Sequence, residues 1–137
     1  MSTKKLNSLF IIEDNSVQRL MLVDHLSKLT GVNIKEYSSG DSCLRDLIGG
    51  NVDEPDLILM DYFLDSSFGV SKDGLETLTK IKEIYPEMNV IMLTSVDNQK
   101  IIDLAKKKGA MDYVVKDAMS FKKLDSILGK YFKLAKK

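Results

Sequence analysis

The chain has 137 residues, with 20 Lys and Arg against 20 Asp and Glu, one His, one Cys and no Trp, so its formal net charge is zero. A chain of this length forms one domain whose core buries roughly two thirds of the unfolded surface, so neither a disulfide nor a structural metal is required to hold it. A content of 44% hydrophobic and 29% charged residues excludes wholesale disorder, and balanced charge argues against nucleic-acid binding by bulk electrostatics.

Met1 to Asn7 carries lysines but no continuous apolar stretch and no small-residue cleavage site, so it does not read as a secretion signal. The first apolar run, Leu9-Phe10-Ile11-Ile12, is too short for a helix and apolar throughout, as a strand covered on both faces must be. It ends at Glu13-Asp14. From Ser16, the residues Val17, Leu20, Met21, Leu22, Leu26 and Leu29 recur at helical spacing until Gly31. His25 on this helix has no second ligand at metal spacing and reads as a solvated surface residue. Val32 to Tyr37 reads as a second strand. Asp41 to Ile48 reads as a helix with Cys43, Leu44, Leu47 and Ile48 inward and Gly49 as its stop. Cys43 is then a small core hydrophobe, and a single thiol fits a reducing compartment, so a cytoplasmic location is expected.

Pro55 precedes the strongest run, Leu57 to Met60, which ends at Asp61. After the loop from Tyr62, Asp73 has the features of an N-cap, and Leu75, Leu78, Ile81 and Tyr85 mark the inward face of the helix that follows. Val90 to Leu93 is the fourth strand, ahead of Thr94 and Ser95. A helix from about Asn98 turns Ile101, Leu104 and Ala105 inward. Lys106, Lys107 and Lys108 complement the helix dipole in its last turn, and Gly109 closes it. Tyr113-Val114-Val115 is the fifth strand, ahead of Lys116. Ser120 caps a final helix whose apolar face is Phe121, Leu124, Ile127, Leu128 and Tyr131. None of these runs approaches the ~20 apolar residues that span a bilayer, so no membrane association is expected.

Five covered strands alternating with helices predict an α/β domain: a (βα)5 flavodoxin-like, doubly wound parallel sheet of strand order 2-1-3-4-5. Ligands in such sheets bind beyond the carboxyl ends of the strands, so the residues directly after each run carry the information. The first strand ends in Glu13 and Asp14, the third in Asp61, the fourth in Thr94 and the fifth in Lys116. Carboxylates on strands about 4.8 Å apart repel unless a cation or protons intervene, and an all-oxygen site suits Mg²⁺. Without a Ser, Cys or His placed as nucleophile, the candidate phosphoryl acceptor is a carboxylate, and Asp61 is central.

On these residues the chain resembles a single-domain response-regulator receiver of the bacterial two-component systems, of the chemotaxis-regulator type, over residues 7–134. The resemblance implies Asp61 as phosphoacceptor. It implies Glu13, Asp14, Asp61 and the backbone carbonyl of Phe63 as the Mg²⁺ ligands, Thr94 and Lys116 as phosphate-contacting groups, and Thr94 with Tyr113 as the switch pair. It further implies a phosphorelay function, with a sensor histidine kinase or histidine phosphotransfer protein as donor and a protein target reading the surface of the fourth helix, fifth strand and fifth helix. Direct nucleic-acid binding and an output domain are not expected, a phosphorylation-dependent homodimer is an arrangement the family allows, and catalysis is limited to the domain's own phosphorylation and dephosphorylation. The alternative is a receiver-like interaction module that signals without phosphorylation.

Three departures stand out. The acidic pair is Glu13-Asp14 where Asp-Asp is commoner, which keeps the charge; Lys116 is followed by Asp117 where the family has a cis proline, so a trans bond is expected here; and the loop Tyr62 to Asp73 lacks the usual proline and is longer than usual. Zero net charge is also a cancellation: residues 100 to 137 hold 11 Lys and 4 Asp, and the residues before them hold 9 basic and 16 acidic residues. The basic part contains the expected readout face, which favours an acidic target. Phe63 and Val96 line the expected approach of hydrolytic water with apolar groups, so the aspartyl phosphate is expected to persist well beyond seconds in Mg²⁺, as read by the decay of radiolabel from phosphorylated protein.

Overall fold

In the computed structural model, which describes residues 4–62 and 74–135, the five expected strands pair in parallel. Helices cover both faces of the three central ones, whereas the edge strand Asn33–Tyr37 is mostly exposed and Asp112–Val115 only partly buried, so covering on both faces holds for the centre of the sheet and not for its edges. The elements are β1 Lys4–Lys5, β2 Ser8–Ile12, α1 Ser16–Leu26, β3 Asn33–Tyr37, α2 Gly40–Gly49, β4 Leu57–Met60 and α3 Gly74–Ile84. They continue with β5 Val90–Thr94, α4 Gln99–Lys107, β6 Asp112–Val115, α5 Ser120–Tyr131 and β7 Phe132–Lys133. The main sheet runs β3-β2-β4-β5-β6. Once the short β1 is set aside, this is the expected order 2-1-3-4-5.

Alternation along the strands divides the core in two. Phe10, Ile12, Ile58, Met60, Val90 and Met92 face α2, α3 and α4, whose Cys43, Leu44, Leu47, Leu75, Leu78, Ile81 and Ala105 are buried. Leu9, Ile11, Leu57, Leu59, Ile91 and Leu93 face α1 and α5, where Leu22, Leu26, Leu124 and Leu128 are buried. The chain therefore leaves β2 toward one face and β4 toward the other. The two strands are neighbours, so a crevice opens between their carboxyl ends. Cys43 is a core hydrophobe as expected, and burial followed by the nearby Asp46 charge pushes its thiol up to about 12.

Two inward assignments are corrected: Ile48 of α2 and Leu104 of α4 are exposed. Of the apolar positions at helical spacing on α1, Val17, Leu20 and Met21 are exposed and Leu22, Leu26 and Leu29 are buried. A short helix with apolar residues over a wide arc offers more than one face to the sheet, and the direction in which it leaves its strand decides between them. His25 is not solvated: Nε2 lies 2.7 Å from Asp125 Oδ1 and the ring stacks on Phe121, because α1 and α5 lie side by side. The left-handed cap of α2 is Gly50, at φ 68°, rather than Gly49. Ser120 does not cap α5 but is its first residue, buried, with Oγ donating to Asp117 O. Asp73 lies outside the described residues.

The sequence reading has no counterpart for the parallel pair β1 and β7. Lys4 and Lys5 align with Phe132 and Lys133, and Thr30 N–H donates to Ala135 O at 2.6 Å. Leu6 and Phe132 are buried beneath the pair. Asp56 fastens this end: Oδ2 accepts from the N–H groups of Asn7 at 2.8 Å and Ser8 at 3.0 Å, and Oδ1 lies 2.6 Å from Lys4 Nζ. Burial opposes the Asp56 charge, but Lys4 and the two N–H donors outweigh it and hold the carboxyl below the ordinary aspartate range. A group depressed on folding contributes stability that is full above the unfolded aspartate range and is lost as pH falls through the folded value. Asp56→Asn is therefore expected to cost about 1.5–3 kcal/mol near neutral pH, with the deficit shrinking below about pH 4, as followed by urea unfolding across a pH series.

Candidate functional site

Each of the strands β2, β4, β5 and β6 ends in a polar side chain at the same rim of the sheet, because parallel pairing aligns their carboxyl ends. Glu13 follows β2, Asp61 follows β4, Thr94 closes β5 and Lys116 follows β6. One carboxylate oxygen each from Glu13, Asp14 and Asp61 lie within 4.8 Å of one another. Glu13 and Asp61 are buried, at 4% and 7% exposure, and Asp14 is less enclosed. Lys116 Nζ reaches in from the far strand to Glu13 Oε1 at 2.5 Å and Asp61 Oδ2 at 3.0 Å, and also donates to Gln18 Oε1.

The electrostatics follow from crowding. Burial pushes the Glu13 carboxyl up to about 7; the bond from Lys116 pulls the other way and the Asp61 charge adds to the rise. Burial alone would lower the Lys116 ammonium, but its bonds to Glu13 and Asp61 raise it above the ordinary lysine value. Three converging carboxylates are an all-oxygen donor set of the kind that hard divalent cations prefer, and such a cation would offset both the burial of Glu13 and the smaller contribution of the Asp61 charge. The donor set fits Mg²⁺.

Thr94 is fully buried on the strand beside β4, and its Oγ1 accepts from Val96 N–H at 3.3 Å. Tyr113 O–H donates to the carbonyl of the same Val96 at 2.7 Å. Burial first, then the charges of Asp61, Tyr62 and Asp97, push the Tyr113 phenol up to about 12. The two expected switch residues thus grip one peptide segment from opposite sides. The bond before Asp117 is trans, as expected, since no described peptide is cis. Phe63 and the rest of the loop through Asp73 lie outside the described residues.

Two residues of the site went unnoticed in the sequence. Gln18 reaches Lys116 from the first turn of α1; its place three residues past Asn15 was the available signal. Gly74 opens α3 directly against the acceptor strand, with its N–H donating to Tyr62 O at 2.6 Å. An alanine Cβ there would lie 2.8 Å from Tyr62 Cα, 3.0 Å from the Met92 methyl and against the Asp61 carbonyl oxygen. Beside the acidic cluster, a cleft of about 310 Å³ runs between α1 and α5, lined by Glu13, Gln18, Met21, Leu22, Leu93, Lys116, Asp117, Ser120 and Phe121.

With the fold and site in place, the comparisons are specific. The profile of the response regulator receiver domain matches residues 9–128. The chain is 32% identical over 132 residues to the probable C4-dicarboxylate response regulator DctR of Halalkalibacterium halodurans, covering 94% of this chain and 52% of that protein. It thus spans about half the length of that curated relative. Among solved structures, the phosphorylated cyanobacterial phytochrome response regulator RcpA superposes with a TM-score of 0.81 at 23% identity, covering 94% of this chain and 98% of that one. The response regulator TrrA of Thermotoga maritima, solved in complex with Mg²⁺ and BeF, superposes at 0.75 and 24% identity, covering 93% of this chain and 100% of that one. Because the backbone of Gly74 abuts the residue central to the site, Gly74→Ala is expected to cost about 1–3 kcal/mol in urea unfolding and to weaken Mg²⁺ binding in calorimetric titration.

Proposed function

The chain belongs to the response regulator receiver family, and from that premise we propose that Asp61 accepts a phosphoryl group in a two-component phosphorelay. The observation that carries this reading is the Lys116 ammonium seated on Asp61 and Glu13 within an acidic cluster at the sheet's switch point. We place the receiver unit at residues 7–134, with a sensor histidine kinase or a histidine phosphotransfer protein as donor and a downstream protein as target.

Glu13, Asp14, Asp61 and, by the family resemblance, the carbonyl of Phe63 would hold Mg²⁺, which would supply positive charge for the phosphoryl oxygens. Asp61 attacks in line: one carboxylate oxygen forms the new O–P bond while the P–N bond to the donor imidazole breaks and leaves its electron pair on nitrogen. Lys116 keeps an N–H donor at that carboxylate, where negative charge accumulates. The Thr94 hydroxyl turns to donate to a phosphoryl oxygen, its Oγ1 releasing the Val96 N–H from which it accepts, and Tyr113, whose O–H donates to the Val96 carbonyl, follows the same segment. The outlet of the signal is the surface of α4, β6 and α5, where Lys106, Lys107, Lys122, Lys123 and Lys130 favour an acidic partner.

Beryllofluoride with Mg²⁺ is expected to shift the amide NMR resonances of β5 and β6, and acetyl phosphate to add one phosphate detectable by intact mass. Asp61→Asn is expected to abolish both. A wild-type protein that responds to neither reagent is instead an interaction module that signals without phosphorylation.

A further inference from the structure

The start of α1 carries a hydrogen-bond ring that phosphoryl acceptance by itself does not require. Asn15 caps the helix: its Oδ1 accepts from Gln18 N–H at 2.9 Å, and its own N–H donates to Glu13 Oε2 at 3.3 Å. A capping residue followed three positions later by Gln has the spacing of a reciprocal cap, in which the Gln side chain returns to the N–H of the capping residue. Here Glu13 takes that N–H. The Gln18 side chain is diverted, and its Oε1 accepts from Lys116 Nζ. The ring closes through the Lys116 bond to Glu13, and the third donor of the ammonium goes to Asp61.

We propose that Gln18 is a positioning residue for phosphoryl transfer, holding Lys116 Nζ over Asp61 once the carboxylates are committed to a divalent cation; the inference rests on the acceptor reading above. A lysine stem is flexible and gives up considerable rotamer freedom to hold one place. Of the three acceptors that Nζ meets among the described residues, Glu13 and Asp61 belong to the cluster that would ligate a cation, and that positive charge would repel the ammonium. Gln18 is the neutral acceptor. It lies outside the cluster, its backbone is fixed by the Asn15 cap, and its side chain lines the same cleft as Glu13 and Lys116. Its hold survives when the other two are weakened.

The test compares wild type with Gln18→Leu, which removes the acceptor, and Gln18→Glu, which keeps one. In saturating Mg²⁺, Gln18→Leu is expected to raise the half-saturating beryllofluoride concentration about tenfold, the order expected for one hydrogen bond to an ionised donor. Its Mg²⁺ affinity and melting temperature stay at the wild-type values, and the rate at which an amine-acylating reagent modifies Lys116, followed by peptide mass spectrometry, rises several-fold. Gln18→Glu stays within about threefold of wild type in both readouts, since a bond to the same charged donor is retained. Wild-type half-saturation and wild-type Lys116 labelling in Gln18→Leu would overturn the proposal, as would a loss accompanied only by a lowered melting temperature. If wild type ignores beryllofluoride while Lys116 labelling still rises in Gln18→Leu, the acceptor reading fails but the anchoring of Lys116 stands.

Discussion

Lys116 and the two buried carboxylates it bridges set the terms for the rest of this molecule. Burying Glu13 and Asp61 side by side is costly, and among the described residues the Lys116 ammonium is shared between these two carboxylates. The compensation comes from geometry: a parallel sheet places the ends of four strands at one rim, so Lys116 can arrive from β6 while the carboxylates arrive from β2 and β4. Burial, more than the neighbouring charge, keeps Glu13 raised in spite of the lysine.

The scaffold behind this rim is apolar and two-sided. Residues of one strand alternate between the two clusters, so the strand ends are held from both faces. Gly74 shows how closely: α3 begins where its backbone touches that of Asp61 and Tyr62. At the opposite rim, β1, β7 and Asp56 tie the two ends of the described chain together. Close apolar packing thus lies beneath the site, while Thr94 and Tyr113 share a hold on the segment at Val96.

Helix α1 has two different faces. Leu22 and Leu26 pack against the sheet, and Val17, Leu20 and Met21 are exposed, with Met21 lining the cleft that holds Lys116. Its first turn also belongs to the site, because the Asn15 cap bonds to Glu13 and Gln18 bonds to Lys116. Entry into the helix and placement of the lysine are therefore one local event.

The sequence by itself determined the five strands of the main sheet, the order of those strands and their helices, and the polar residues at the strand ends. These are properties of short segments: an apolar run of four or five residues, a Gly or Pro stop and a carboxylate directly after a run can each be read without knowing what lies across the sheet. Glu13, Asp14, Asp61, Thr94 and Lys116 were legible for that reason. The tertiary structure alone decided which side of α1 is buried, the pairing of His25 with Asp125 from residues far apart in sequence, the clasp of Lys4–Lys5 with Phe132–Lys133, and the diversion of Gln18 to Lys116. Each of these depends on the direction in which a helix leaves its strand or on contacts between distant segments, and hydrophobic periodicity contains neither.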